Sequence, residues 1–147
     1  MDIKIKKINK RDYKEILHIL HKVAVEELNF PKSSMSSYRK LFSKKIIGYK
    51  VLYKKNICGF IIGTSPEGGV GTIIWLILKK EFRGKKLGKL LFERIKQYYK
   101  SKNCHKIKLT VPTRKALKFY KRMGMKVEGF HRKHWWKMDF WSLGLTI

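Results

Sequence analysis

Acidic side chains are scarce in this sequence. Its 147 residues hold 10 Asp+Glu against 36 Lys+Arg, which leaves a formal net charge of +26. A field of that sign disfavours free polycationic ligands and attracts polyanions such as nucleic acid, a ribosome surface, an anionic membrane or a phosphorylated small molecule. The cations are spread along the chain rather than gathered in a tail, and lysine far outnumbers arginine. Specific phosphate or base recognition favours the arginine fork, so the charge reports what the surface tolerates better than what it grips. Cysteine is rarer still. Cys58 and Cys104 are too few and too far apart for a disulfide framework or a zinc ribbon; they read as free thiols of a reducing cytoplasm, and no metal is expected. No apolar run approaches the roughly 20 residues that span a bilayer. The first residues, Met1-Asp2-Ile3-Lys4-Ile5-Lys6, alternate instead of reading as a signal peptide.

Apolar residues are plentiful. At 44% they exclude a disordered chain despite the charge. The length suits one domain, so residues 1–147 are read as a single unit without linker or repeat. Ile3, Ile5 and Ile8 predict a first strand. A helix follows, with Asn9 or Asp12 near its start and Ile16, Leu20, Val23 and Ala24 on one face. Glu26 to Ser37 reads as a loop, leading into a short helix from Tyr38 to Lys45. Ile47–Tyr53 and Ile57–Thr64 predict two strands joined at Lys55-Asn56, and Ser65–Gly71 a turn before the strand Thr72–Leu78. A helix then runs to about Ser101, His105–Val111 alternates as a strand, and Thr113 caps a helix that Gly124 ends. Val127 and His134 to Phe140 supply closing strands.

The stretch Arg83-Gly84-Lys85-Lys86-Leu87-Gly88-Lys89-Leu90-Leu91 carries the most chemistry. It joins the apolar strand to an amphipathic helix with Leu87, Leu90, Leu91, Ile95 and Tyr98 on one face. Unpaired N–H groups of a first helical turn, with the helix dipole behind them, form an anion site. Gly84 and Gly88 admit close backbone approach, and Arg83, Lys85, Lys86 and Lys89 add charge. A strand-to-helix turn with a solvated basic rim explains the same residues. Two familiar phosphate loops do not fit. Gly84 and Gly88 are one residue too close for a Walker loop, and Leu90 stands where its hydroxyl belongs. The dinucleotide fingerprint lacks its third glycine, and Lys106 and Lys108 occupy the next strand.

The loop resembles the pyrophosphate loop of the GNAT superfamily of N-acetyltransferases, Arg/Gln-x-x-Gly-x-Gly/Ala. Arg83 and Gly88 fall on its outer positions, and Lys86 replaces the first glycine. Thr113-Arg114-Lys115-Ala116-Leu117-Lys118-Phe119-Tyr120-Lys121-Arg122-Met123-Gly124-Met125 is similar to the family's Asn-x-x-Ala-x-x-Phe-Tyr-x-x-x-Gly-Phe segment, with Thr113 for Asn and Met125 for Phe. The resemblance covers most of the chain and is weakest after Gly129. It implies an α/β (α+β) fold: a mixed central sheet of about seven strands, four flanking helices, and a cofactor between splayed central strands.

Activity follows from the same resemblance. It implies transfer of an acetyl group from acetyl-CoA to a primary amine by direct attack in a ternary complex. Cofactor contacts are implied for Leu76, Ile77 and Leu78 on the strand, for Arg83, Gly84, Lys85, Lys86, Leu87, Gly88 and Lys89 on the loop, and for Thr113. The Leu78 N–H would polarise the thioester carbonyl, and Tyr120 would protonate the departing thiolate. Core packing accounts for the side chains of Leu76–Leu78 and of Tyr120 equally well. No general base is assigned. Glu26, Glu27, Glu67, His131, His134 and Asp139 are candidates, and Lys108 stands where the amino-terminal-acetylating branch often has Glu.

The acceptor is expected to be macromolecular, a protein lysine or amino terminus rather than a small polycation. His131, Arg132, His134, Trp135, Trp136 and Trp141 could flank a substrate cleft or stack on bases, or form a closing strand or dimer surface. Two other readings stay open: a basic nucleic-acid-binding module, and a coenzyme A-binding regulator without catalysis.

Overall fold

The computed structural model of the chain describes residues 2–147. Strand β1 (Ile3–Lys7) leads into a single 3-10 turn, Lys10–Asp12, closed by a reciprocal cap. The Asn9 side chain accepts from the Arg11 N–H at 3.0 Å, and the Asp12 carboxylate accepts from the Asn9 N–H at 2.9 Å. Both expected start residues therefore act. Helix α1 (Tyr13–His21) buries Ile16, Ile19 and Leu20, then widens into a π-helical stretch, Lys22–Glu27.

Helix α2 spans Ser34–Leu41, earlier than the expected Tyr38–Lys45. Serines suggest a loop because they compete for backbone hydrogen bonds. Here Ser34, Met35 and Tyr38 form a buried stripe at helical spacing, and packing overrides the propensity.

Six strands and two helices complete the chain: β2 (Ile46–Tyr53), β3 (Asn56–Thr64), β4 (Val70–Leu78), α3 (Leu87–Ser101), β5 (Lys106–Val111), α4 (Arg114–Arg122), β6 (Lys126–Trp135) and β7 (Met138–Thr146), with α3 and α4 as the helices. One seven-stranded sheet results, in the order β1-β2-β3-β4-β5-β7-β6. Every neighbouring pair is antiparallel except β4 and β5. The expected mixed sheet with four helices is present. Among the described residues, no helix is long and apolar enough to cross a bilayer.

Two hairpins differ from the sequence reading. The β2–β3 turn is Lys54-Lys55, with φ of 49° and 68°, one residue before the expected position. The segment from His134 to Phe140, read as one closing strand, instead contains the β6–β7 turn at Trp136-Lys137, with φ of 47° and 63°. Two-residue turns with positive φ at both positions suit the twist of a hairpin, but they usually draw on Asn or Gly. Lys and Trp give no such signal.

Two cores lie on opposite faces of the sheet. Leu87, Leu91, Phe92, Ile95 and Tyr99 of α3 and Leu117 and Tyr120 of α4 pack on one, with Ile61, Ile73, Ile107, Leu109 and Leu143. The other joins Ile16, Ile19 and Leu20 of α1 and Met35 and Tyr38 of α2 to Phe60, Ile62, Ile77 and Phe140. Tyr99 anchors α3: its ring fills the space above Gly63 and Gly71, and its hydroxyl donates to the Thr64 carbonyl at 2.8 Å. Burial of that phenol raises its pKa well above the ordinary 10.0.

Candidate active site

The parallel pairing of β4 with β5 is short. Val70, Gly71 and Thr72 face Lys106, Ile107 and Lys108, and the ladder stops there. Beyond Thr72, β4 stays with β3 while Leu109, Thr110 and Val111 stay with β7, so the two central strands diverge. The Lys79 N–H donates to the Cys58 carbonyl at 2.9 Å. Antiparallel alternation then turns the backbone groups of Leu76 and Leu78 away from β3 and toward the gap. The Leu78 carbonyl accepts from Arg83 Nε at 3.0 Å, as that direction requires.

Helix α3 begins directly beyond this gap. Its N-cap is Lys86, in the left-handed region at φ 62°, with no capping side chain and no acid in the first turn. The Leu87, Gly88 and Lys89 N–H groups thus have no helical carbonyl to bond, which suits an anion. Gly84, at φ 75°, has nothing within 4 Å of an added Cβ, so conformation and not space calls for glycine there. Lys85, Lys86 and Lys89 are exposed around the turn. Gly88 is different: an added Cβ would lie 3.2 Å from Phe119 Cζ and 3.7 Å from Leu78 Cδ1. It brings the helix start, the strand end and the first ring of α4 together. The side chain of Ile77 turns to the opposite face, in the core beneath α1 and α2.

Arg83 takes a different part from the lysines. Its Nε holds the Leu78 carbonyl while NH1 and NH2 reach Glu27 Oε1 and Oε2 at 2.6 and 3.0 Å. The guanidinium thereby ties the phosphate-type loop to the end of the π-helical stretch. Its hydrogen bond holds the Glu27 carboxyl below the ordinary 4.5, against the opposing effect of burial. A carboxylate so engaged is a poor proton acceptor, which removes Glu27 from the candidate bases. Glu67 sits on the turn at the other end of β4, and Asp139 accepts the Lys133 N–H at 2.9 Å. Glu26, His131 and His134 are exposed.

Thr113 caps α4, accepting the Ala116 N–H at 3.1 Å. Tyr120 is buried, its ring against Phe119 at 5.0 Å and Phe92 at 6.0 Å, and no protein group bonds its hydroxyl among the described residues. Burial pushes its phenol well above 10.0, so it stays protonated at neutral pH. Lys108 ends the β4–β5 ladder and is exposed.

The opposite face of the gap carries a feature the sequence reading missed. Phe30, Tyr38, Trp75, Trp136 and Phe140 form an aromatic cluster with centroids 5.4 to 6.3 Å apart. Ser34 Oγ, Tyr38 OH and Trp75 Nε1 are buried there without hydrogen-bond partners. Its members are up to 110 positions apart, and only the assembled sheet brings them together.

The GNAT acetyltransferase family profile matches residues 10–125. The chain belongs to that family. No curated protein matches it in sequence. Solved structures share the fold of this GNAT protein at low identity. The ribosomal-protein-S18-alanine N-acetyltransferase of Escherichia coli superposes with a TM-score of 0.84 at 15% identity, covering 99% of this chain and 94% of that one. A chain of the NatC complex bound to Gag peptide and CoA gives 0.81 at 20%, covering 100% and 99%. An aminoglycoside 6′-N-acetyltransferase complexed with coenzyme A gives 0.78 at 15%, covering 97% and 96%. The fold is that of acetyl-CoA N-acetyltransferases; at these identities it leaves the acceptor open.

Proposed function

We propose that the GNAT protein transfers an acetyl group from acetyl-CoA to a primary amine held on a macromolecule, a protein lysine or amino terminus. The observation that carries this reading is the gap itself, with the Leu76 and Leu78 backbone groups turned toward it and an uncapped α3 beyond it; Tyr120 lies buried against Phe119, the ring that faces Gly88. The first-turn amides and Gly84, Lys85, Lys86 and Lys89 suit the diphosphate of coenzyme A, with Thr113 across the gap. The pantetheine arm suits the strand edge at Leu76–Leu78, where the Leu78 N–H would stabilise the developing oxyanion. When bound, acetyl-CoA supplies the thioester. In that site the amine nitrogen would form the new C–N bond as the C–S bond breaks, Tyr120 would give its proton to the departing sulfur, and water would take the proton the amine loses and return one to Tyr120.

A macromolecular acceptor follows from charge. At +26 the protein repels free polyamines and aminoglycosides, whereas an amine on an acidic or nucleic-acid-bound protein is drawn in. Thioester consumption against peptides with free amino termini, lysine peptides and polyamines tests the reading. Turnover is expected with one of the peptide classes, and a preference for polyamines contradicts it.

A further inference from the structure

We propose that the open edge of the sheet at β6 binds single-stranded nucleic acid. Strand β6 is the last in the sheet, so its outer backbone edge is unpaired, and nearly all of its residues are exposed. Phe130 and Trp135 stand 50% and 51% exposed, which is far from the norm for large aromatic rings. Phe130 pairs with Trp141 across the hairpin, on the α3–α4 side, and Trp135 pairs with Met138, on the α1–α2 side. The two rings flank the edge, at most about 16 Å apart along the strand.

Cations fill the interval. Arg132 and Lys133 lie between the rings with no carboxylate in salt-bridge range of their side chains among the described residues. Arg114 lies 5.7 Å from the Trp141 ring, whose centroid is 5.3 Å from that of Phe130 at a tilt of 53°, so the three side chains form a shelf beside the edge. The acids nearby are occupied: Glu128 takes Lys106, and Asp139 takes the Lys133 N–H. Exposed rings set among unpaired cations match unstacked bases on a phosphate backbone. A duplex would hide its base faces, and the edge offers no helix to enter a groove. A second copy of the chain is disfavoured twice. Both copies carry +26, and register breaks between Val127 and Gly129 and between His131 and Trp135 interrupt the edge that a partner strand would need.

The test is fluorescence anisotropy of a labelled single-stranded oligouridylate, without acetyl-CoA, at two salt concentrations. Phe130→Ala and Trp135→Ala are each expected to weaken binding roughly fivefold to 100-fold while leaving the salt slope unchanged, since stacking is lost and no phosphate contact is. Lys126→Gln with Arg132→Gln is expected to flatten the slope; Lys4→Gln with Lys6→Gln, an equal charge change at the far edge, is not. Thermal melting checks that each variant is folded. Aromatic variants that bind like the parent, or equal losses from both charge pairs, overturn the proposal in favour of unspecific charge. Displacement by polyglutamate as effective as by unlabelled oligonucleotide assigns the edge to acidic protein and overturns it too. So does a concentration-dependent dimer that Phe130→Ala dissolves.

Discussion

Arg83 and Glu27, 56 positions apart, meet in a two-pronged ion pair at 2.6 and 3.0 Å while the same guanidinium holds the Leu78 carbonyl. One side chain thus joins the strand end, the anion-type loop and the π-helical stretch. The pair is about one-third exposed, so its direct contribution to stability is small, roughly 0.2–1 kcal/mol. Its larger effect is expected on loop geometry. Arg83→Ala should raise the KM for acetyl-CoA more than it lowers Tm, and Arg83→Lys should fail to restore it, because one ammonium cannot replace the planar fork. Acetyl-CoA titration and thermal melting of both variants check this.

Acid titration of the fold tests the same pair. Glu27 has a lower pKa folded than unfolded, so the unfolded chain binds its proton more readily. The stabilisation is complete above the ordinary 4.5 and is lost as pH falls through the folded value. Glu27→Gln should therefore flatten the stability curve below that pH, measured by urea unfolding across the acid range.

Gly84 and Lys86 both sit at positive φ, 75° and 62°, but only one is glycine. Gly84→Ala should destabilise by about 1 kcal/mol through strain alone, since space is open. Lys86→Gly should stabilise by a comparable amount, about 2–4 °C in Tm, while removing one cation from the loop. Calorimetric melting separates the two signs.

How much of this was legible beforehand follows from which interactions are local. The Thr113 cap, the Leu87, Leu91 and Ile95 stripe of α3 and the alternating β5 arise from contacts within a few residues, and periodicity exposes them; Leu90, expected on that stripe, is exposed, while Phe92 and Tyr99 are buried. The divergence of β4 from β5 is a backbone event between strands, so Leu76 and Leu78 could be placed only by family resemblance. The Arg83–Glu27 bracket and the Phe30–Trp75–Trp136 cluster depend on the assembled tertiary fold. The Trp136-Lys137 turn was hidden because an apolar-aromatic run continues across it, with tertiary packing of Trp136 against Phe30 and Tyr38 in place of a turn residue.

Gly88→Ala tests the junction of loop, strand and α4. A Cβ 3.2 Å from Phe119 Cζ requires that ring, which packs on Tyr120, to give by a few tenths of an ångström. A destabilisation of about 1–3 kcal/mol is expected from overpacking. Turnover should fall further than acetyl-CoA affinity, as steady-state kinetics and calorimetry would show.

Alkaline stability reports on the buried phenols. Tyr38, Tyr99 and Tyr120 all have pKa values raised above 10.0, mainly by burial. The folded state keeps these protons longer than the unfolded chain, so their contribution is full below about pH 10 and is lost as pH rises through the folded values. Urea midpoints should decline above that pH, less steeply in Tyr120→Phe.

We propose Tyr120, buried against Phe119, as the acid in acetyl transfer. Steady-state thioester cleavage by Tyr120→Phe with a saturating peptide amine tests it most directly. Turnover is expected to fall about 100-fold to 10,000-fold, with acetyl-CoA affinity and Tm nearly unchanged, since the hydroxyl has no protein partner to lose among the described residues. Turnover equal to that of the parent would contradict it.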